Sequence, residues 1–206
     1  MWDLTGGWRH RMSSRLSLGT DYSFRRAVVV GSTEPFDLQS VEAGAGYEWS
    51  PSWSIDGSAG VVHLSANAVA EARSGPAWRI ALERHRELRT FRAEYLRSYI
   101  PSFGFGGTVR DVEASLTVQM PLFHSRRWYT EQRIVYRDDQ PLTAQFEQLP
   151  LRSLRTHSMI GCAPQPWVRI EAFYARTQQT NRLELGQLYR NRLGFQIVTS
   201  KPVRMP

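Results

Sequence analysis

The chain has one cysteine, Cys162, and one lysine, Lys201, among its 206 residues. A lone cysteine excludes an intramolecular disulfide, a CxxC redox pair and a cysteine zinc cage, and it does not identify the compartment. No apolar run reaches about 18 residues, so no membrane-crossing helix is expected. The opening Met1-Trp2-Asp3-Leu4-Thr5-Gly6-Gly7 lacks the basic and apolar regions of an export signal. A basic block is missing too. The net charge is +7, but the arginines are spread along the chain and interleaved with Asp and Glu. That pattern predicts arginines paired with carboxylates and a basic rim, not a nucleic-acid partner. His10, His63 and His85 show no metal-ligand spacing. Neither a metal nor a cofactor is expected.

Aromatics are plentiful at 12%, with 7 Trp and 8 Tyr, which argues against disorder. A mean hydropathy of -0.42 with 41% apolar residues suits a water-soluble domain. It equally suits a sheet in which only every second residue faces lipid. The dominant pattern is alternation of period two. Val41, Ala43, Ala45, Tyr47 and Trp49 alternate with Glu42, Gly44, Gly46 and Glu48. Val112, Ala114, Leu116, Val118 and Met120 alternate with Asp111, Glu113, Ser115, Thr117 and Gln119. The same holds for Trp78-Ile80-Leu82, Ile170-Ala172-Tyr174 and Leu193-Phe195-Ile197. In a strand such alternation gives each set its own face.

Breakers organise these strands. Short turns are expected near 11–14, 50–52, 86–88, 121–126 and 163–166, and longer connections near 28–37, 66–76, 100–107, 138–150 and 178–187. The strands between them fall near 2–10, 15–27, 38–49, 53–65, 77–85, 89–99, 108–120, 127–137, 151–162, 167–177 and 188–199. They are longer than the usual soluble strand of about 5–6 residues. A tilted strand needs about 9–11 residues to cross a bilayer, and short turns at one end with long loops at the other form the outer-membrane pattern. Trp8, Trp49, Trp53, Trp128 and Trp167 sit beside the short turns, while Tyr22, Phe24, Trp78, Tyr95, Tyr99, Tyr136 and Tyr174 sit toward the long loops. Two aromatic belts of this kind suit two membrane interfaces. The predicted fold is all-β: one domain over residues 1–206, an antiparallel up-and-down transmembrane β-barrel of about 10–12 strands. Bacterial single-chain barrels have even strand numbers, so an odd count without an export signal leads us to expect a further upstream strand.

The chain is similar to bacterial outer-membrane β-barrel proteins. Arg97-Ser98-Tyr99-Ile100-Pro101-Ser102-Phe103-Gly104-Phe105-Gly106-Gly107 and Val198-Thr199-Ser200-Lys201-Pro202 resemble an uncharacterised group of them. The resemblance implies the barrel fold, the bacterial outer membrane as location, and no catalytic residues. It departs from the wider pattern at its end, Arg204-Met205-Pro206, where such proteins often carry an aromatic residue.

On this reading outer-membrane lipids, lipopolysaccharide and the barrel-assembly machinery are the expected partners. Alternation assigns Asp21, Glu42, Glu48, Asp56, Arg79, Glu83, Arg92 and Glu94 to the interior face. Asp111, Glu113, Glu131, Arg133, Arg155, Arg169, Glu171 and Arg192 join them. They would form either a selective constriction or a ladder of cross-strand ion pairs packing a narrow interior, and the packed interior is the expectation. His157-Ser158 and His124-Ser125 invite comparison with serine hydrolases, but neighbours in a strand point to opposite faces, so neither pair can form a catalytic hydrogen bond within itself. Gly104-Phe105-Gly106-Gly107 lacks the following Lys-Ser/Thr of a phosphate loop. Arg25 and Arg26, beside a long loop, are placed to meet lipopolysaccharide phosphates. The expected role is a non-enzymatic minor pore or membrane scaffold; the alternative is a soluble β-barrel or β-sandwich holding an apolar ligand inside.

Overall fold

A computed structural model describes residues 2–28, 35–65, 72–87, 89–101, 108–123, 127–141, 151–165, 167–181 and 186–199. Among these residues the chain is all-β. The strands are β1 (Trp2–Arg11), β2 (Leu16–Val28), β3 (Pro35–Ser50), β4 (Trp53–Leu64), β5 (Arg73–Arg86) and β6 (Arg89–Pro101). They continue as β7 (Thr108–Pro121), β8 (Trp128–Pro141), β9 (Leu151–Gln165), β10 (Val168–Asn181) and β11 (Gln187–Thr199). All eleven join one sheet in chain order, each antiparallel to the next. No pairing links β1 to β11 among the described residues.

The eleven expected strands are all present, and several run further toward the long-loop side than the apolar alternation does. β3 begins at Pro35, not 38; β8 continues to Pro141, not 137; β10 ends at Asn181, not 177. The extra residues of β8 are Asp138, Asp139, Gln140 and Pro141. Ladder hydrogen bonds need backbone partners, not an apolar face, so pairing outlasts the hydrophobic pattern.

Register then settles which side chains share a face. Ala114 lies between Tyr95 on β6 and Tyr136 on β8; Ala43 pairs with Ala59, which pairs with Trp78. Every large exposed hydrophobic side chain within a strand falls on this same face except Leu188. Trp78 and Tyr95 pack ring to ring at 4.8 Å, and Arg84 lies 5.2 Å over the ring of Trp53. The opposite, polar face is concave. Arg9, Asp21, Glu42, Asp56, Arg79 and Arg92, one from each of β1 to β6, border a single cavity of about 300 Å³.

Two glycines let rings lie flat on the concave side. Gly161 faces Tyr129 across β9 and β8, and Gly194 faces Phe173 across β11 and β10. A Cβ at either glycine would occupy the space of the opposing ring. Aromatic cover of a sheet glycine restores the contact that a missing side chain gives up. Gly161→Val should therefore displace the Tyr129 ring and cost about 1–3 kcal/mol of unfolding free energy. Denaturant unfolding followed by tryptophan fluorescence measures it, and a neutral valine would show that the ring cover is dispensable.

Candidate functional site on the concave face

The chemistry-bearing side chains concentrate on the concave face because each strand places alternate residues there. Glu42 and Glu48 on β3, Asp56 on β4, and Arg79 and Glu83 on β5 all share it, as do Arg92 and Glu94 on β6. So do Asp111 and Glu113 on β7, Glu131 and Arg133 on β8, Arg155 on β9, Arg169 and Glu171 on β10, and Arg192 on β11. Sharing a face is not sharing a contact. The structure brings some of these residues together and leaves others apart.

One cluster spans β5 and β6. Arg92 sits directly opposite Glu83 and meets it at 3.0 Å, and its other nitrogen meets Glu94 at 3.1 Å. Glu94 also takes Arg79 at 2.5 Å. Two arginines and two carboxylates thus alternate in a short chain. A second cluster spans β7 and β8. Asp111 and Asp139 face each other in register, and Arg137 neutralises both, at 2.8 and 3.0 Å. Asp111 is 5% exposed, so its charge depends on that guanidinium. A third centres on Glu171, also buried. It accepts a 2.5 Å hydrogen bond from Tyr129 Oη and one from Gln196, with Arg169 more distant at 3.9 Å. At the sheet edge Asp3 and Arg25 pair at 2.9 Å.

The remaining expected residues behave differently. Glu42 accepts a hydrogen bond from Ser58 at 2.8 Å and has no ion-pair partner among the described residues. Among the described residues Glu48, Asp56, Glu113, Glu131, Arg133, Arg155 and Arg192 take part in no ion pair. The expected ion-pair ladder is therefore local, concentrated on β5 to β8, and not continuous around the sheet.

No family model matches the chain, and no curated protein does. The site rests on its geometry.

Arg137 is the last residue of the expected strand 127–137 and has the parity of Arg133, whereas Asp139 fell beyond the strand end that the apolar pattern placed near 137. Asp138-Asp139 read as loop composition, yet Asp139 keeps the parity of Glu131 and Arg133, and that parity was the available signal. The Arg25-Arg26 pair divides. Arg25 turns to the concave face, whereas Arg26 lies on the convex face and binds Asp37 at 2.6 Å. His157 and Ser158 also divide: His157 stacks on Phe173 at 5.5 Å on the concave side, and Ser158 donates to Gln132 at 2.6 Å on the convex side. His124-Ser125 and Gly104-Phe105-Gly106-Gly107 lie outside the described residues. Among the described residues no group of three or more His, Cys, Asp or Glu could hold a metal.

Proposed function

We propose that this chain forms the wall of a bacterial outer-membrane β-barrel with no catalytic role, acting as a minor pore or membrane scaffold. One observation carries the reading. Each of the eleven strands presents at least one large exposed hydrophobic side chain on the convex face, while most of the charges gather on the concave face. A water-soluble protein seldom exposes a contiguous apolar patch beyond a few hundred Å². Acyl chains would cover such a surface and leave every ladder hydrogen bond intact. The tryptophans at the short-turn ends and the tyrosines toward the other ends then lie at the two interfaces. Arg26, Arg97, Arg110 and Arg152, on the convex face near the long-loop ends, fit lipopolysaccharide phosphates. The alternative, a soluble barrel with an apolar ligand inside, needs the two faces exchanged.

The test is refolding with and without detergent, followed by bilayer recording. The chain should gain β circular dichroism and heat-modifiable gel mobility only with detergent or lipid. Its steady conductance should be small, because the pairs around Arg92 and Arg137 obstruct the concave side. A compact monomer in plain buffer overturns the membrane reading, and large steady single-channel currents overturn the obstructed interior.

A further inference from the structure

Of the concave-face arginines that form no ion pair among the described residues, Arg9 and Arg11 lie on β1, and four others gather on β8 to β11. Two adjacent register rows cross β8, β9, β10 and β11 in the order Val135–Arg155–Thr177–Arg190 and Arg133–His157–Ala175–Arg192. On β7 these rows continue as Ser115 and Thr117. Four arginines and a histidine therefore share two rows that contain no carboxylate from β7 to β11. All four arginines are exposed, and none forms an ion pair among the described residues. The same rows on β3 to β6 hold Glu48, Asp56, Glu83 and Glu94 with Arg92 as their single arginine. Basic and acidic residues are segregated along the rows.

The side-chain sizes shape this basic wall. β10 contributes only Ala175 and Thr177 to the two rows, between Arg155 and His157 on β9 and Arg190 and Arg192 on β11. Strands lie about 4.8 Å apart, so the flanking backbones are roughly 10 Å apart over a low floor. A small group seated on β10 would lie between the arginines of β9 and those of β11. Stacking on Phe173 holds the His157 ring at one end of the floor, and Thr177 adds a hydroxyl donor at the other. Glu113 and Glu131 border the cavity that Arg133, Arg155 and His157 share, but among the described residues neither forms an ion pair with them. An oxyanion with several oxygens would engage the arginines through bidentate hydrogen bonds.

We propose that the groove over Ala175 and Thr177 is a binding site for a multivalent oxyanion, of the phosphate or polycarboxylate class, on the inner wall of the barrel. The proposal deepens the reading above by naming the class of solute the interior would hold. Arg155 and Arg192 grip the anion from opposite sides, and Arg133 and Arg190 extend the positive field along the strands.

Isothermal titration of the detergent-refolded chain with inorganic pyrophosphate at low ionic strength tests it. Saturable binding is expected, with no saturable signal for chloride. Arg155→Gln and Arg192→Gln should each weaken binding about tenfold, the loss of one charge-assisted contact. Arg25→Gln, on the same face but paired with Asp3, should leave it unchanged. Arg190→Gln provides a further, edge-strand variant should either of the first two fail to refold. No saturable binding by the wild type, or equal binding by the Arg155 and Arg192 variants, overturns the site. If the chain folds without detergent, the membrane reading falls, and the same titration in buffer still decides the anion site.

Discussion

Ala114→Arg is expected to lower the unfolding free energy of the detergent- or lipid-refolded chain by about 2–4 kcal/mol. Ala114 occupies the convex face midway along β7, between Tyr95 and Tyr136. On the proposed membrane reading this places position 114 in the hydrocarbon layer, where a guanidinium loses water without gaining a partner. The neighbouring Ser115→Arg provides the contrast. It projects to the concave side, two positions along β7 from Glu113, a carboxylate in no ion pair among the described residues, and its cost should stay under about 1 kcal/mol. Urea titrations of both variants in the same micelle give the comparison. Equal costs would mean that the two faces do not differ in solvent, and the membrane assignment would then fail.

Removing Arg137 should be the most damaging change on the concave face. Asp111 and Asp139 face each other across β7 and β8 and share this one guanidinium. Arg137→Met keeps most of the side-chain volume and leaves two opposed carboxylates, one of them nearly buried. Breaking a buried pair from one side costs about 3–5 kcal/mol, and partial solvent access at Arg137 puts the expected loss near about 3 kcal/mol. Asp111→Asn added to Arg137→Met should restore part of that loss, because it removes the buried charge and the repulsion together. Arg25→Met supplies the control: both members of the Asp3–Arg25 pair are 39% exposed on their side chains, so its loss should stay under about 1 kcal/mol. If Arg137→Met costs no more than Arg25→Met, the cluster contributes no more than an exposed pair.

Strand number, strand order along the chain and the division into two faces could be read from the residues alone. The reason is periodic: in a strand, parity is position, so Val112-Ala114-Leu116-Val118 and Asp111-Glu113 declare opposite faces before any partner is known. Turn residues then mark where the direction reverses, as at Ser50-Pro51-Ser52. Glu83, Arg92, Glu94 and Asp111 could be assigned to one face in the same way. Their contacts could not. Whether Arg92 meets Glu83, and whether Asp111 meets Asp139, depends on the cross-strand register, which turn geometry and pairing over the whole hairpin determine. Register also decided that Arg133, His157, Ala175 and Arg192 form one row, although they come from four strands and 60 residues of chain. The sequence by itself thus determined an all-β chain with one charged and one apolar face. Only the tertiary structure decided which charges neutralise each other and which remain as an unpaired basic wall, because electrostatic pairing acts over a few ångströms between residues distant in the chain.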